Sequence, residues 1–135
     1  MAVRSYFFDD SGRLERGLPN ERLSEALRSG KGVLWVDICE TTPADGVLLA
    51  EVFGFHKLAI EDCVETQIHP PKIDEYDDHL FIIVHGINHA SEATDVVETA
   101  ELALFIGSNY VVTNHNFPLY SVDEVRHQVE TNARP

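Results

Sequence analysis

The sequence predicts an α/β fold in which helices pack on a mixed β-sheet. Helix-like and strand-like segments alternate in the first half of the chain, and consecutive strands followed by a helix are predicted in the second half. The chain has 135 residues, of which 44% are hydrophobic, so it contains enough apolar material for one core. We therefore expect a single domain over residues 1–135.

Apolar periodicity places the elements of the first half. Residues 6–8 have the pattern of a short strand, and residues 20–30 have apolar side chains at helical spacing before a glycine. Residues 33–38 alternate between two faces, which predicts a strand. The segment 42–53 is predicted to form a buried helix with Thr42 as its N-cap, Pro43 in its first turn and Gly54 at its end, and residues 57–65 a second, amphipathic helix.

Strand patterns dominate the second half. Pro70 and Pro71 exclude a continuous helix, and residues 72–88 then contain the strongest strand pattern, apolar on both faces, which predicts a central strand. An acidic loop at 91–98 precedes a hairpin formed by residues 102–113. A final helix follows Pro118.

The charge of the chain excludes two classes of partner. There are 23 acidic and 10 basic residues, a net charge of −13, so nucleic acids and anionic membrane surfaces would be repelled and cations favoured. No apolar run approaches the ~18 to 20 residues that cross a bilayer, and no signal peptide is recognisable. Cys39 and Cys63 make no disulfide framework, which favours a reducing, cytoplasmic compartment.

The acidic residues are concentrated between positions 61 and 78. This stretch holds seven acids and one base, Lys72. Magnesium binds oxygen ligands and needs only one or two carboxylates, so Glu61 and Asp62, on the polar side of the predicted helix 57–65, are the candidate metal ligands. The alternative is a solvated acidic surface without a bound ion.

Other kinds of site have weaker support. The spacings of Cys63 with His69 and of His85 with His89 match no zinc motif, so packing at the surface or at strand ends is expected for the seven histidines. The acidic segment lacks the glycine and glutamate positions of an EF-hand. No nucleophile motif or phosphate-binding loop is present, so we predict no catalytic residues and no enzyme.

Four segments together resemble a known family. They are LWVDI at 34–38, FGFHKLAIED at 53–62, PKIDEYDDHLF at 71–81 and NYVVTNH at 109–115. In this order and at this spacing they resemble the cytoplasmic N-terminal domain of the CorA-type magnesium and cobalt channels. The resemblance covers about residues 30–130.

This resemblance implies an α/β/α sandwich with helices on both faces of the sheet, in a protein at the cytoplasmic face of the cell membrane. The family's channels are homopentamers. Glu61 and Asp62 would lie at the boundary between identical subunits, where divalent ions bridge carboxylates and hold the pore closed. The implied ion is Mg²⁺, with Co²⁺ or Zn²⁺ as alternatives, and no covalent cofactor is implied. Leu58 would lie in the same subunit interface.

The sequence also departs from the family pattern. Pro70 stands where the family usually has a basic residue, and the family's long helix, two membrane spans and Gly-Met-Asn motif would all follow Pro135. Residues 1–135 are therefore expected to be a domain cut before the long helix, and whether it is monomeric stays open. The alternatives are the same domain of a related zinc transporter, or a stand-alone soluble metal-binding protein. The gene sequence beyond Pro135 separates the latter from the two transporters.

Overall fold

The computed structural model describes residues 2–65, 69–88, 98–116 and 119–132. Seven strands form one sheet, in the order β2-β1-β3-β7-β6-β5-β4. The strands are β1 (Ala2–Asp9), β2 (Leu14–Arg16), β3 (Gly32–Cys39), β4 (Lys72–Glu75), β5 (Leu80–Asn88), β6 (Glu98–Ile106) and β7 (Tyr110–His115). The helices are α1 (Asn20–Ser29), α2 (Pro43–Leu48), α3 (Lys57–Val64) and α4 (Tyr120–Asn132), and a π-helical turn (Leu49–Phe53) continues α2.

The sheet is mixed, as predicted. Among the described strands, β3 pairs in parallel with β7 and every other neighbouring pair is antiparallel. Strands β6 and β7 form the predicted hairpin, in which the Gly107 amide donates to the Tyr110 carbonyl. The parallel pair joins two segments that are far apart in the sequence, and it brings the two halves of the chain into one sheet.

The core lies between one face of the sheet and α1, the π-helical turn and α3. The predicted alternation in β3 is confirmed, because Leu34, Val36 and Ile38 are fully buried on this face. Phe81 of β5 and Phe105 of β6 continue the same layer and are also fully buried. Ala59 and Cys63 anchor α3 against this core, so the opposite side of α3 faces outward.

The other face of the sheet carries α4. A groove of about 350 Å³ runs between α4 and the sheet, lined by Trp35, Leu102 and Leu104 on the sheet and by Val122 and Val125 on the helix. With α4 on this face and α1 to α3 on the other, helices lie on both faces, as the α/β/α prediction requires.

The strand predicted within residues 72–88 is present as β5, but the prediction that it is central is wrong. The segment forms two strands, β4 and β5, joined by a turn, and β5 is second from the edge of the sheet. Among the described residues its outer face is only partly covered, and Val84 is exposed. In β5, apolar residues on both faces therefore do not indicate that both faces are buried among the described residues.

The segment from Thr42 to Gly54 confirms the ends of the predicted helix but not its burial, since Val47 is 54% exposed and Glu51 is exposed. The Thr42 hydroxyl accepts from the Asp45 amide (3.2 Å), while the Asp45 carboxylate accepts from the Thr42 amide (2.9 Å), a reciprocal capping box. Gly54 ends the π-helical turn with φ of 70°, a left-handed conformation that favours glycine. This ending directs the chain into α3, which carries the candidate site.

Two other predicted features have different outcomes. The short strand β2 was not predicted, because its three residues have no clear alternation. The predicted acidic loop at 91–98 lies outside the described residues except for Glu98, which belongs to β6. No helix in the described part of the chain is long and apolar enough to cross a membrane.

Candidate metal centre

The predicted acids, Glu61 and Asp62, lie on the outward side of α3, but their surroundings differ. Glu61 is exposed, and within the described residues its carboxylate makes no hydrogen bond or ion pair. Leu58, one turn earlier, is 62% exposed. The exposed carboxylate and the exposed leucine form a surface of α3 that does not pack against the core of the domain.

Asp62 is instead tied into the domain. Its Oδ2 atom accepts a hydrogen bond from Lys72 Nζ at 2.8 Å, and the same Nζ lies 3.1 Å from Asp74 Oδ2. The hydrogen bond to Asp62 raises the pKa of Lys72, an effect that outweighs the opposing effect of burial. Lys72 therefore stays charged and neutralises part of the acidic stretch. The second oxygen of Asp62, Oδ1, lies 3.5 Å from His69 Nε2.

His69, which sequence patterns did not single out as a ligand, lies at the centre of three carboxylates. Its Nε2 atom is 3.4 Å from Glu65 Oε2 and 3.5 Å from Asp62 Oδ1. On the opposite side of the ring, Nδ1 is 3.2 Å from Glu101 Oε2. The ligand atoms of Asp62, Glu65 and His69 all lie within 4.8 Å of one another.

Glu101 of β6 holds His69 at two points. Besides facing Nδ1, it accepts a hydrogen bond from the His69 backbone amide at 2.6 Å. His85, which pairs with Glu101 across β5 and β6, lies with Nε2 2.7 Å from the His69 carbonyl oxygen. The imidazole is therefore fixed in orientation by the sheet, although it belongs to the loop after α3.

The carboxylates also change the proton affinity of His69. Burial lowers the pKa of His69, but the hydrogen bonds to Glu101 and Glu65 and the negative charges of Glu101 and Asp62 together raise it by more, so the pKa lies above its ordinary value. The surroundings of the imidazole thus favour positive charge, whether a proton or a metal ion supplies it.

Cys63 does not extend this cluster. Burial, with smaller contributions from the charges of Asp62 and Glu101, raises the pKa of the Cys63 thiol. At neutral pH the thiol is protonated and packs in the core, so the sequence spacing of Cys63 and His69 does not correspond to a cysteine-histidine zinc site.

A small cavity adjoins the cluster. It measures about 10 Å³, and Asp62, Glu101 and Asn114 contribute to its wall. Asn114 is 3% exposed, its Oδ1 accepts from the Thr41 hydroxyl (3.2 Å), and its Nδ2 finds no partner among the described residues. The cavity has room for about one water-sized group beside this donor and the two carboxylates.

Two other described histidines have packing roles, as predicted. His79 is buried, stacks on Tyr76 with ring centroids 4.9 Å apart, and has Nδ1 2.6 Å from Asp78 Oδ1. This contact lowers the pKa of the Asp78 carboxyl. His115 lies with Nε2 2.9 Å from Asp37 Oδ1 under α4. His89 lies outside the described residues, so its predicted spacing with His85 is not tested.

Sequence spacing contained part of the information on this cluster. Asp62 and Glu65 are three residues apart, which places them on one side of a helix, and His69 follows four residues later. Glu101 could not be found this way, because it is 32 residues from His69 and reaches it only through the pairing of β5 and β6.

Comparison with known proteins agrees with this architecture. A family model described as CorA-like Mg²⁺ transporter protein matches residues 30–135. YfjQ of Bacillus subtilis (strain 168), a protein named as a metal ion transporter, is 35% identical over 95 residues, which cover 70% of this chain and 28% of that protein. The chain thus spans little more than a quarter of the length of this relative.

Two solved structures share the fold. The soluble domain of CorA from Methanocaldococcus jannaschii superposes with a TM-score of 0.67 at 15% identity, covering 96% of this chain and 46% of that one. The ZntB cytoplasmic domain from Vibrio parahaemolyticus gives a TM-score of 0.69 at 13% identity, covering 98% of this chain and 50% of that one. These likenesses confirm the predicted fold.

Proposed function

The chain belongs to the CorA-like Mg²⁺ transporter family, a family of metal ion transporters rather than enzymes, and we propose that it is the cytoplasmic, divalent-cation-sensing domain of such a transporter. In this proposal residues 1–135 are the N-terminal domain, and the membrane-spanning part lies in the additional length that its relative has. The ion that is sensed and transported is Mg²⁺.

Glu61 is the observation that carries the proposal. It offers a carboxylate on the surface of α3 that no described residue of its own domain engages, next to the exposed Leu58. Leu58 suits a contact between identical subunits, because burying an exposed leucine against a partner is favourable. In this family the subunits would form a homopentamer. Glu61 then supplies the ion ligand at that contact.

Asp62 takes part in a different way. One of its oxygens is occupied by Lys72, which leaves Oδ1 for an ion or for the water shell of an ion. Mg²⁺ keeps several of its waters, so a site with Glu61 as the direct ligand and Asp62 as a water-mediated one suits this ion.

The regulation follows from differential binding. An ion that bridges two subunits binds the closed arrangement more tightly than the open one, so a fall in Mg²⁺ shifts the population toward the open state. A few partly hydrated carboxylates give a millimolar affinity, which is a binding free energy of about −4 kcal/mol per site. The binding free energies of several such sites in a ring of subunits add together.

This proposal predicts that Mg²⁺ stabilises the full-length protein through Glu61. If the affinity is millimolar, about 10 mM Mg²⁺ adds about 1.4 kcal/mol per site to stability, which is measurable as a rise in the thermal midpoint. The double variant Glu61→Gln with Asp62→Asn should lose most of this rise. Glu51→Gln, which changes an exposed acid in the π-helical turn, is the matched control and should keep it. An equal rise in the double variant would contradict the assignment of Glu61 and Asp62.

A related zinc transporter is the second candidate function, and His69 is the observation that favours it. Imidazole is a ligand that Zn²⁺ accepts and Mg²⁺ avoids, and here an imidazole lies among three carboxylates. Uptake of Zn²⁺ and of Mg²⁺ by cells that express the full-length protein distinguishes the two transporters.

A further inference from the structure

We infer that Asp62, Glu65 and His69 form a second metal site, contained within one subunit, that binds an imidazole-accepting transition metal such as Zn²⁺ or Co²⁺ in preference to Mg²⁺. This site does not include Glu61, but it shares Asp62 Oδ1 with the Mg²⁺ position of the proposed function. It uses Oδ1 of Asp62, Oε2 of Glu65 and Nε2 of His69.

Two of the three distances between the ligand atoms are close to those of a coordination polyhedron. Zn²⁺ bound by nitrogen and oxygen at about 2.0–2.1 Å in tetrahedral geometry separates its ligand atoms by about 3.3–3.4 Å. Nε2 of His69 lies 3.4 Å from the Glu65 oxygen and 3.5 Å from the Asp62 oxygen. The contact with Glu65 is a long hydrogen bond, and the contact with Asp62 is an ion pair longer than the usual 2.7–3.2 Å of an N–H···O hydrogen bond. The third distance, between the Asp62 and Glu65 oxygens, is at most 4.8 Å, so the three atoms surround a position at which they can converge on one metal ion.

The second ring nitrogen of His69 is prepared for this role. A histidine that binds a metal commonly donates its other N–H to a carboxylate, which fixes the tautomer and the ring orientation. Glu101 Oε2 lies 3.2 Å from Nδ1, and Oε1 holds the backbone amide of the same residue at 2.6 Å. With the proton on Nδ1, the lone pair of Nε2 is directed toward Asp62 and Glu65.

An independent observation comes from Asn114. Its buried Nδ2, without a partner among the described residues, shares the small cavity with Asp62 and Glu101. A buried donor of this kind requires an acceptor. A water molecule in the cavity would accept from Asn114 and lie beside Asp62, a ligand of the proposed site, and Glu101, which holds His69; Glu65 and His69 do not line this cavity.

The ligand set decides the kind of metal. Mg²⁺ requires near-octahedral oxygen ligands and retains its waters, whereas one imidazole with two carboxylates suits Zn²⁺, Co²⁺ and related ions. Lys72 leaves the Oδ1 atom of Asp62 available to a metal ion, because its hydrogen bond to this carboxylate is made to Oδ2. A bound transition metal would occupy Oδ1 and so remove Asp62 from the subunit contact, leaving Glu61 alone there.

The test uses Co²⁺ as the probe on the 135-residue chain, since its visible absorption reports ligand type and geometry. We expect one Co²⁺ per chain, with absorption typical of nitrogen and oxygen ligands and no displacement by millimolar Mg²⁺. His69→Gln should abolish binding, and Glu65→Gln should weaken it at least tenfold. Glu101→Gln, which alters a positioning residue, should weaken it by about 10- to 100-fold.

Two controls make the outcome decisive. His127→Gln alters an exposed histidine on α4 and should leave binding unchanged, and Glu61→Gln should also leave it unchanged, which separates this site from the proposed subunit contact. If His69→Gln fails to fold, Glu65→Gln decides, because its side chain is 50% exposed and the amide replacement is compatible with the fold. Absence of Co²⁺ binding, unchanged binding in both ligand variants, or equal competition by Mg²⁺ would show that the cluster is only a histidine-carboxylate ion-pair network.

Discussion

Phe105→Ala is expected to lower the free energy of unfolding by about 3–5 kcal/mol, which is the largest effect predicted for a single residue of this domain. Phe105 is fully buried, and its ring stacks on that of Phe55 with centroids 3.8 Å apart and an angle of 3° between the planes. Phe81 packs against the same ring at 4.8 Å. The substitution would leave a cavity that rigid neighbouring strands cannot close.

Urea denaturation of the wild type and the variant measures this effect. The control is Val47→Ala, because Val47 is 54% exposed on α2 and its loss should change stability by less than about 0.5 kcal/mol. If Phe105→Ala were as mild as the control, the layer of Phe55, Phe81 and Phe105 would not be the core of the domain. Since Phe55 comes just before α3, this stack also positions the helix that carries Glu61 and Asp62.

Asp37→Ala is expected to cost about 3 kcal/mol, the second largest effect, for a different reason. Asp37 is buried beneath α4, where its Oδ1 accepts from the Thr113 hydroxyl at 2.6 Å and lies 2.9 Å from His115 Nε2. Thr113 in turn accepts from Trp35 Nε1 at 3.0 Å. Removing the carboxylate takes the acceptor away from two buried polar groups, the Thr113 hydroxyl and the His115 imidazole.

The matched variant is Asp37→Asn, which keeps an acceptor oxygen of the same shape and should be milder than Asp37→Ala. Thermal and urea denaturation of both variants measure the difference. A loss for Asp37→Ala no larger than that for an exposed acid such as Glu51→Ala would contradict the role of this network in joining β3 to β7.

Local patterns predicted the elements of this fold better than their arrangement. The alternation in residues 33–38, the cap at Thr42 and the hairpin were predictable because each depends on neighbours in the sequence. The parallel pairing of β3 with β7 and the position of β5 near the sheet edge depend on contacts between distant segments, which periodicity does not encode.

The same limit applies to the site. The polar side of the helix at 57–65 was predictable, and Glu61 is exposed there as expected. Helical periodicity placed Asp62 with Glu61, but the structure joins it to Lys72, ten residues away. The environment of His69 was not predictable, because Glu101 reaches it from strand β6, 32 residues away in the sequence. Partners that are brought together by tertiary structure decide which acids are available to an ion.

We propose that cytosolic Mg²⁺ acts on this domain to close a transporter. Measurement of Mg²⁺ flux through the full-length protein in liposomes tests this role most directly. With the domain facing the side where Mg²⁺ is varied, wild-type flux should fall as the ion rises through the millimolar range. The Glu61→Gln, Asp62→Asn variant should keep its flux at high Mg²⁺, and Glu51→Gln should behave as the wild type. Inhibition of the double variant at the same Mg²⁺ concentration as the wild type would contradict the account.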